Sequence, residues 1–164
     1  MDNERFEWIM ARTLEAEGGL ADDPVDPGGA TKWGISSRYH PEEFKGIQSW
    51  SDAKSFYRVK YYNVKIYETP DMPLVVATKL FLFAINVSER QALIELQEAL
   101  GFCGHQVSID GEFGPETRRA IRYTDPRQLE SSLAAKMWGY YLERIARNPA
   151  KAKFAAGWKK RLRA

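Results

Sequence analysis

The sequence predicts a mainly α, α+β fold: a helical bundle carrying a small loop/β-hairpin region. Three observations lead there. Apolar residues recur at helical spacing, beginning with Phe6, Met10, Thr13 and Leu14. Helix starts are marked by Ser88-Glu89-Arg90-Gln91, which reads as a capping box, and by Asp125-Pro126. Residues 18–36, by contrast, are rich in glycine, proline and aspartate, and Trp33-Gly34-Ile35 alternates around a glycine as a short β segment does. With 164 residues, 44% of them hydrophobic and 13% aromatic, the chain can bury a core.

Taken in order, Asp2 or Asn3 caps a first helix running to about Glu17, where Gly18-Gly19 stops it. Residues 31–36 read as irregular or short β structure, and residues 41–44 as a helical turn. A second helix opens at Trp50 with Ser51 as its cap and carries Phe56, Tyr57, Lys60 and Tyr61. Residues 63–73 and 101–115 read as loops. Between them, Pro73 starts a helix with Leu74, Ala77, Thr78, Phe81 and Ile85 on one face. The next helix, from Ser88, places Leu93, Leu96, Gln97 and Leu100 inside and stops at Gly101. Asp110-Gly111 turns the chain into a helix started by Pro115. A long helix from Asp125 to about Arg147 turns Leu129, Leu133, Met137, Tyr140, Tyr141 and Ile145 inward, and Asn148-Pro149 breaks it. Phe154 and Trp158 look like a docking pair. A soft boundary near residues 86–88 divides the chain into 1–87 and 88–164.

Several function classes fall away. No apolar run approaches the roughly 20 residues of a membrane helix, and the first residues lack the apolar core of a signal peptide. One cysteine, Cys103, excludes an internal disulfide. The histidines, His40 and His105, fall in no zinc-ligand spacing, so neither a metal nor another cofactor is expected. Net charge is only +2, yet residues 144–164 hold eight Lys and Arg and no acid. Such a stretch is drawn to anionic outer-membrane or wall polymers, or is simply a solvated helix face. The acid-rich loop argues against nucleic acid as the partner.

The chemistry-bearing stretch is the end of the first helix and the loop behind it. Glu17 continues the stripe of Phe6, Met10, Thr13 and Leu14, so its carboxyl is expected to be partly buried at the negative end of the helix dipole. Both effects raise a carboxyl pKa, as a general acid near neutral pH requires. Asp26 follows nine residues later and Thr31 five after that, a second carboxylate and a hydroxyl able to hold a water. Singly, these are a surface acid and turn formers; together they make a site. Trp33, Tyr39, Tyr61 and Tyr62 are candidates for stacking on sugar rings, or belong to the core. Asn86, at a helix end, either bonds substrate or caps the helix, and the cap is the commoner use.

The run Glu17-Gly18-Gly19 followed by residues 23–36, Asp-Pro-Val-Asp-Pro-Gly-Gly-Ala-Thr-Lys-Trp-Gly-Ile-Ser, resembles the opening motif of the family 108 glycoside hydrolases. These include phage endolysins and bacterial proteins once called secretion activators. The Glu-x8-Asp-x4-Thr spacing also resembles the catalytic set of a class of phage lysozymes, which have one more residue before the threonine. The resemblance implies a lysozyme-like fold whose hairpin lines a cleft, and an N-acetylmuramidase that cuts the β-1,4 MurNAc–GlcNAc bond of peptidoglycan. Glu17 matches the family's catalytic acid; Asp26 and Thr31 carry the water-positioning role by analogy. The family's Phe-Asp-x-Ala-Val-Asn stands here as Phe81-Leu82-Phe83-Ala84-Ile85-Asn86, with Leu82 in place of the aspartate. Leu-Gln-x-x-Leu-Gly and Asp-Gly-x-x-Gly-Pro-x-Thr, at residues 96–101 and 110–117, resemble a three-helix peptidoglycan-binding module, and Gly157-Trp158 with Arg161 resembles the family's ending.

On this reading residues 1–87 are catalytic and 88–164 are a wall-binding module packed on them. The protein is expected to be a monomer, made in the cytoplasm and released to the wall by a holin or similar route. Alternatives are a lytic transglycosylase, which needs one acid and no water, and a non-catalytic wall-binding secretion helper. Inverting and retaining chemistry both fit.

Overall fold

A computed structural model describes residues 2–17, 20–21 and 30–163. Helix α1 (Asp2–Glu17) buries Phe6, Ile9, Met10 and Thr13, one face at the spacing of a 3.6-residue period. Arg5 fixes this helix to the chain ahead, donating to the carbonyls of Tyr67 at 2.9 Å and Met72 at 2.7 Å. Strands β1 (Leu20–Ala21), β2 (Thr31–Lys32) and β3 (Ile35–Ser36) form an antiparallel sheet in that order. Leu20 pairs with Lys32, Ala21 with Thr31, and Thr31 in turn with Ser36. Helices α2 (Pro41–Gly46), α3 (Trp50–Lys60) and α4 (Val64–Tyr67) follow.

Two local expectations change here. The cap of α3 is Ser49, not Ser51: Ser49 Oγ accepts from Asp52 N at 3.2 Å, and the Asp52 carboxylate accepts from Ser49 N at 2.8 Å. The acid three residues after the cap selects that serine. Residues 63–73 are not all loop, because Asn63 caps the single turn of α4, whose Ile66 and Tyr67 are buried.

Helix α5 (Leu74–Ala84) is the centre of the molecule. Every residue from Val76 to Ala84 is buried, so the single apolar face expected from its sequence extends all round the helix. It contacts α1 and also helices α6 (Glu89–Phe102), α8 (Pro126–Arg147) and α9 (Ala155–Arg163). Leu82 is among these core residues. Lys79 reaches out of this apolar surround: its ammonium lies 3.4 Å from the Glu130 carboxylate and donates to the Leu162 carbonyl. A buried cation is tolerated only with such partners, and here they fasten α8, through Glu130, and α9, through Leu162, to the central helix.

The second half is more regular. Ser88 caps α6, accepting from Gln91 N at 3.1 Å. The helix does not stop at Gly101 but runs on to Phe102, and Gly104 supplies the left-handed residue at φ 95°. The amides of Gly104 and His105 bond back to the carbonyls of Gly101 and Leu100, the Schellman arrangement. Helix α7 (Pro115–Arg122) leads to α8, whose cap Asp125 accepts from the amides of Arg127 and Gln128. Leu129, Leu133, Met137 and Tyr141 are its buried stripe. A 3₁₀ segment (Pro149–Phe154) turns the chain into α9, where Trp158 stacks on Tyr141 with ring centroids 4.3 Å apart. Phe154, paired with it from sequence, lies against the Trp158 ring with centroids 6.0 Å apart while staying 40% exposed. Among the described residues no helix is long and apolar enough to cross a membrane.

Candidate active site

The sheet that follows α1 owes its shape to one turn. Between paired Lys32 and Ile35 stand Trp33 and Gly34, at φ 49° and 81°. Two positive φ values in a two-residue loop are what a type I′ hairpin requires, because its twist matches that of the strands. Glycine adopts the conformation freely, whereas an L-residue such as tryptophan does so at about 1–2 kcal/mol. The turn is held from outside: Tyr57 donates its hydroxyl to the Trp33 carbonyl at 2.8 Å. Lys32 donates to the Ile47 carbonyl at 2.7 Å while lying over the Phe44 ring.

The strand end then directs the next side chains. Ser36 Oγ accepts from the amides of Arg38 and Tyr39, and the Ser36 carbonyl accepts from His40 N. This turn delivers Tyr39 and His40 to the mouth of a cavity of about 380 Å³. Gly34, Ile35 and Ser36 form one wall; Phe56, Tyr57 and Tyr61 form another; Ile85 and Asn86 close it beyond the end of α5. Arg161 enters from α9. His40 Nε2 and the Tyr61 hydroxyl are 3.1 Å apart, and the His40 ring meets Phe56 edge-on at 5.0 Å. Burial pushes the Tyr61 phenol above its ordinary range, so it stays a neutral hydrogen-bonding group.

Of the residues singled out from sequence, Tyr39, Tyr61 and Asn86 come together at this cavity. Tyr39 is 72% exposed, a ring offered to solvent instead of to the core. The Asn86 side-chain amide donates to the Leu82 carbonyl at 2.9 Å, bonding back onto the last turn of α5, and the residue forms part of the wall. Thr31 and Trp33 lie in the same hairpin but are not among the described lining residues, and Trp33 packs partly buried against the core. Tyr62 is a core residue, stacked on Tyr67 with its hydroxyl donating to Glu68, so it is unavailable to a sugar. Glu17 ends α1; its side chain and all of Asp26 lie outside the described residues.

Sequence reasoning passed over His40, Ser36, Tyr57 and Arg161. The sequence marks His40 only as a histidine outside any zinc-ligand spacing, and Arg161 only as a basic residue and the last member of the Gly-Trp-x-x-Arg ending. The one available signal was the spacing of Arg161 from Trp158, which fixes it three residues from a buried anchor. Cys103 and His105 turn to separate partners, Ser132 and Thr124, and form no reactive pair.

Residues 10–87 match the family described as Glycosyl hydrolase 108, and residues 91–163 match a Predicted Peptidoglycan domain. The chain thus carries a glycosyl hydrolase 108 domain followed by a predicted peptidoglycan domain. It is also similar in structure to SagA of Brucella abortus. The two are 27% identical with a TM-score of 0.67, over 96% of this chain and 92% of that one. No curated protein matches the sequence. The described cavity of the hydrolase draws all but one of its lining residues from the segment matched to the glycosyl hydrolases; Arg161 comes from the peptidoglycan segment. The family assignments make the protein a glycoside hydrolase that degrades peptidoglycan.

Proposed function

We propose that this hydrolase is an N-acetylmuramidase of the lysozyme type, cleaving the β-1,4 bond between N-acetylmuramic acid and N-acetylglucosamine. Glu17 protonates the departing glycosidic oxygen, and Asp26 with Thr31 orients the attacking water. The observation that carries the reading is where the cavity opens. It lies against the hairpin of residues 31–36, whose neighbouring strand begins three residues after Glu17. Chain length alone keeps Glu17 within about 11 Å of Leu20, and Leu20 pairs with Lys32 in that sheet. A carboxyl at the C-terminal end of a helix is discouraged from ionising by the helix dipole, the bias a proton donor needs. Tyr39 and Tyr61 offer ring faces to sugars, and Asn86 offers an amide. Residues 88–164 hold the enzyme to the wall, where it acts.

Digestion of purified peptidoglycan by the wild type and by Glu17→Gln tests this, with mass analysis of the released fragments. The variant is expected to lose about 10²–10⁴-fold in rate while keeping its fold and wall binding. Full activity in the variant would remove Glu17 from the role. Fragments lighter by one water would identify a lytic transglycosylase, and wall binding without release by either form would leave only a binding protein.

A further inference from the structure

A second groove, of about 620 Å³, runs along the outer side of α1 and shares no lining residue with the cavity at the hairpin. Trp8, Arg12 and Glu15 line it at positions i, i+4 and i+7, one face of that helix. Leu74 and Val75 add apolar surface from the start of α5, while Glu130 comes from α8 and Arg163 from α9. Trp8 is 47% exposed, and its indole N–H makes no hydrogen bond among the described residues. The ring is nevertheless held. The Arg12 guanidinium lies 4.7 Å from its centroid and is itself paired with the Glu15 carboxylate at 2.8 Å. An aromatic ring fixed from one side and still open to solvent costs a ligand little ordering when it binds.

We propose that this groove is a second carbohydrate-binding site, which takes the glycan strand of peptidoglycan with a sugar ring stacked on Trp8. The C–H face of a pyranose packs on an indole as apolar surface, and Leu74 and Val75 offer the same to an acetyl methyl. The Glu15 and Glu130 carboxylates accept from sugar hydroxyls. With Arg12 and Arg163, the lining carries two cations and two carboxylates. That balance suits a ligand dense in hydroxyls and disfavours an anionic lipid surface, which needs an excess of cations. The groove also draws on both matched segments: Arg12, Glu15, Leu74 and Val75 lie in the glycosyl hydrolase segment, Glu130 and Arg163 in the peptidoglycan one. Holding a glycan here requires no cleavage, so the site stands apart from the muramidase reading.

Nitrogen–proton correlation NMR on the full-length protein tests this, because Trp8 gives one of five indole N–H signals and Trp8→Phe assigns it. Triacetylchitotriose and the disaccharide GlcNAc-MurNAc are titrated in separately, and phosphatidylglycerol vesicles serve as the competing surface. At least one of the sugars is expected to shift the Trp8 signal to saturation. Co-sedimentation with insoluble peptidoglycan, run in the cold, gives the second readout. Trp8→Ala should weaken it about three- to tenfold at an unchanged unfolding temperature, because the side chain is largely outside the core. Trp8→Phe, which keeps a smaller ring, should retain part of the binding. A Trp8 signal that neither sugar moves, or that only the vesicles move, overturns the proposal. So does peptidoglycan binding by Trp8→Ala equal to that of the wild type. Should the alanine variant fail to fold, the wild-type signal and Trp8→Phe decide. A protein whose Trp8 signal responds to sugar but which releases nothing from peptidoglycan would sink the muramidase reading and spare this site. Active enzyme with an unmoved Trp8 signal would do the reverse.

Discussion

Between α6 and α7, Gln97 of α6 bonds Asp110 and Glu112 of the loop and Thr117 of α7; around the hairpin of residues 31–36, Tyr39, His40, Tyr61, Asn86 and Arg161 border open space. The Gln97 amide donates to the Asp110 carboxylate at 2.7 Å and to the Glu112 carbonyl at 3.0 Å, and its oxygen accepts from Gly111 N at 2.8 Å. Thr117 lies within reach of the same amide. Gly111 sits at φ 73°, and a Cβ there would stand 2.7 Å from Arg90 Cγ and 3.1 Å from the Arg90 carbonyl oxygen. The Asp-Gly motif thus locks the loop onto α6. Polar groups turned wholly to the chain hold the fold, whereas those around the cavity, where His40 and Tyr61 bond each other and Asn86 bonds Leu82, also face its open space. Substitutions in the two regions should accordingly separate stability from turnover.

The largest change is expected at Trp158. Replacing it with alanine removes the stack on Tyr141 from the edge of the core and should cost about 3–5 kcal/mol, read as a fall in the calorimetric unfolding temperature. Gly111→Ala combines a left-handed backbone with contact against Arg90 and should destabilise by about 2–4 kcal/mol. Turnover per folded molecule should be unchanged, and a loss of turnover at constant stability would make the loop a substrate site after all. Tyr39→Ala reverses the pattern. The residue is largely exposed, so the unfolding temperature should hold while KM on peptidoglycan rises about three- to tenfold through the lost ring contact.

The smallest effect concerns pH. Hydrogen bonds from the Glu112 amide and from Gln97 hold the Asp110 carboxyl below its ordinary 3.8. The fold thus favours the ionised form, and that contribution is complete above about pH 4 and lost as pH falls through the lower folded-state value. Asp110→Asn should flatten the decline of the unfolding midpoint below pH 4 by this group's share. A decline of unchanged steepness would show that the lock does not depend on the charge.

How the basic C-terminal stretch is tested also follows from the packing. Trp158 and the Lys79 bond to Leu162 make α9 part of the folded body, so deleting residues 151–164 would remove core contacts together with charge. Exchanging Lys153 and Lys160, both exposed, for glutamine separates charge from packing.

Local rules carried the sequence a long way. Ser88 and Asp125 cap their helices as their side chains allow, Pro115 opens one as its missing amide and fixed φ favour, and the stripe of α8 falls where the spacing puts it. Residues 31–36 read as irregular or short β structure, and the structure makes Trp33-Gly34 the turn between two strands of it, a turn that constrains its own backbone. Each of these depends on residues within a few positions of one another, so the sequence alone determined them. Which of two nearby serines caps α3, how far α6 runs past Gly101, and that α5 is buried on every side required the neighbours that complete the geometry. The same holds for the site. Tyr39, Tyr61 and Asn86 carried their chemistry in their residue types, but Tyr62, one position from Tyr61, went to the core because α3 had ended and the chain had turned inward. Arg161 stands 121 residues from His40 in the chain, and no periodicity links them. Only the docking of α9 on α5 and α8, driven by burial of Trp158 and by the partners that buried Lys79 requires, brings that guanidinium to the wall of the cavity.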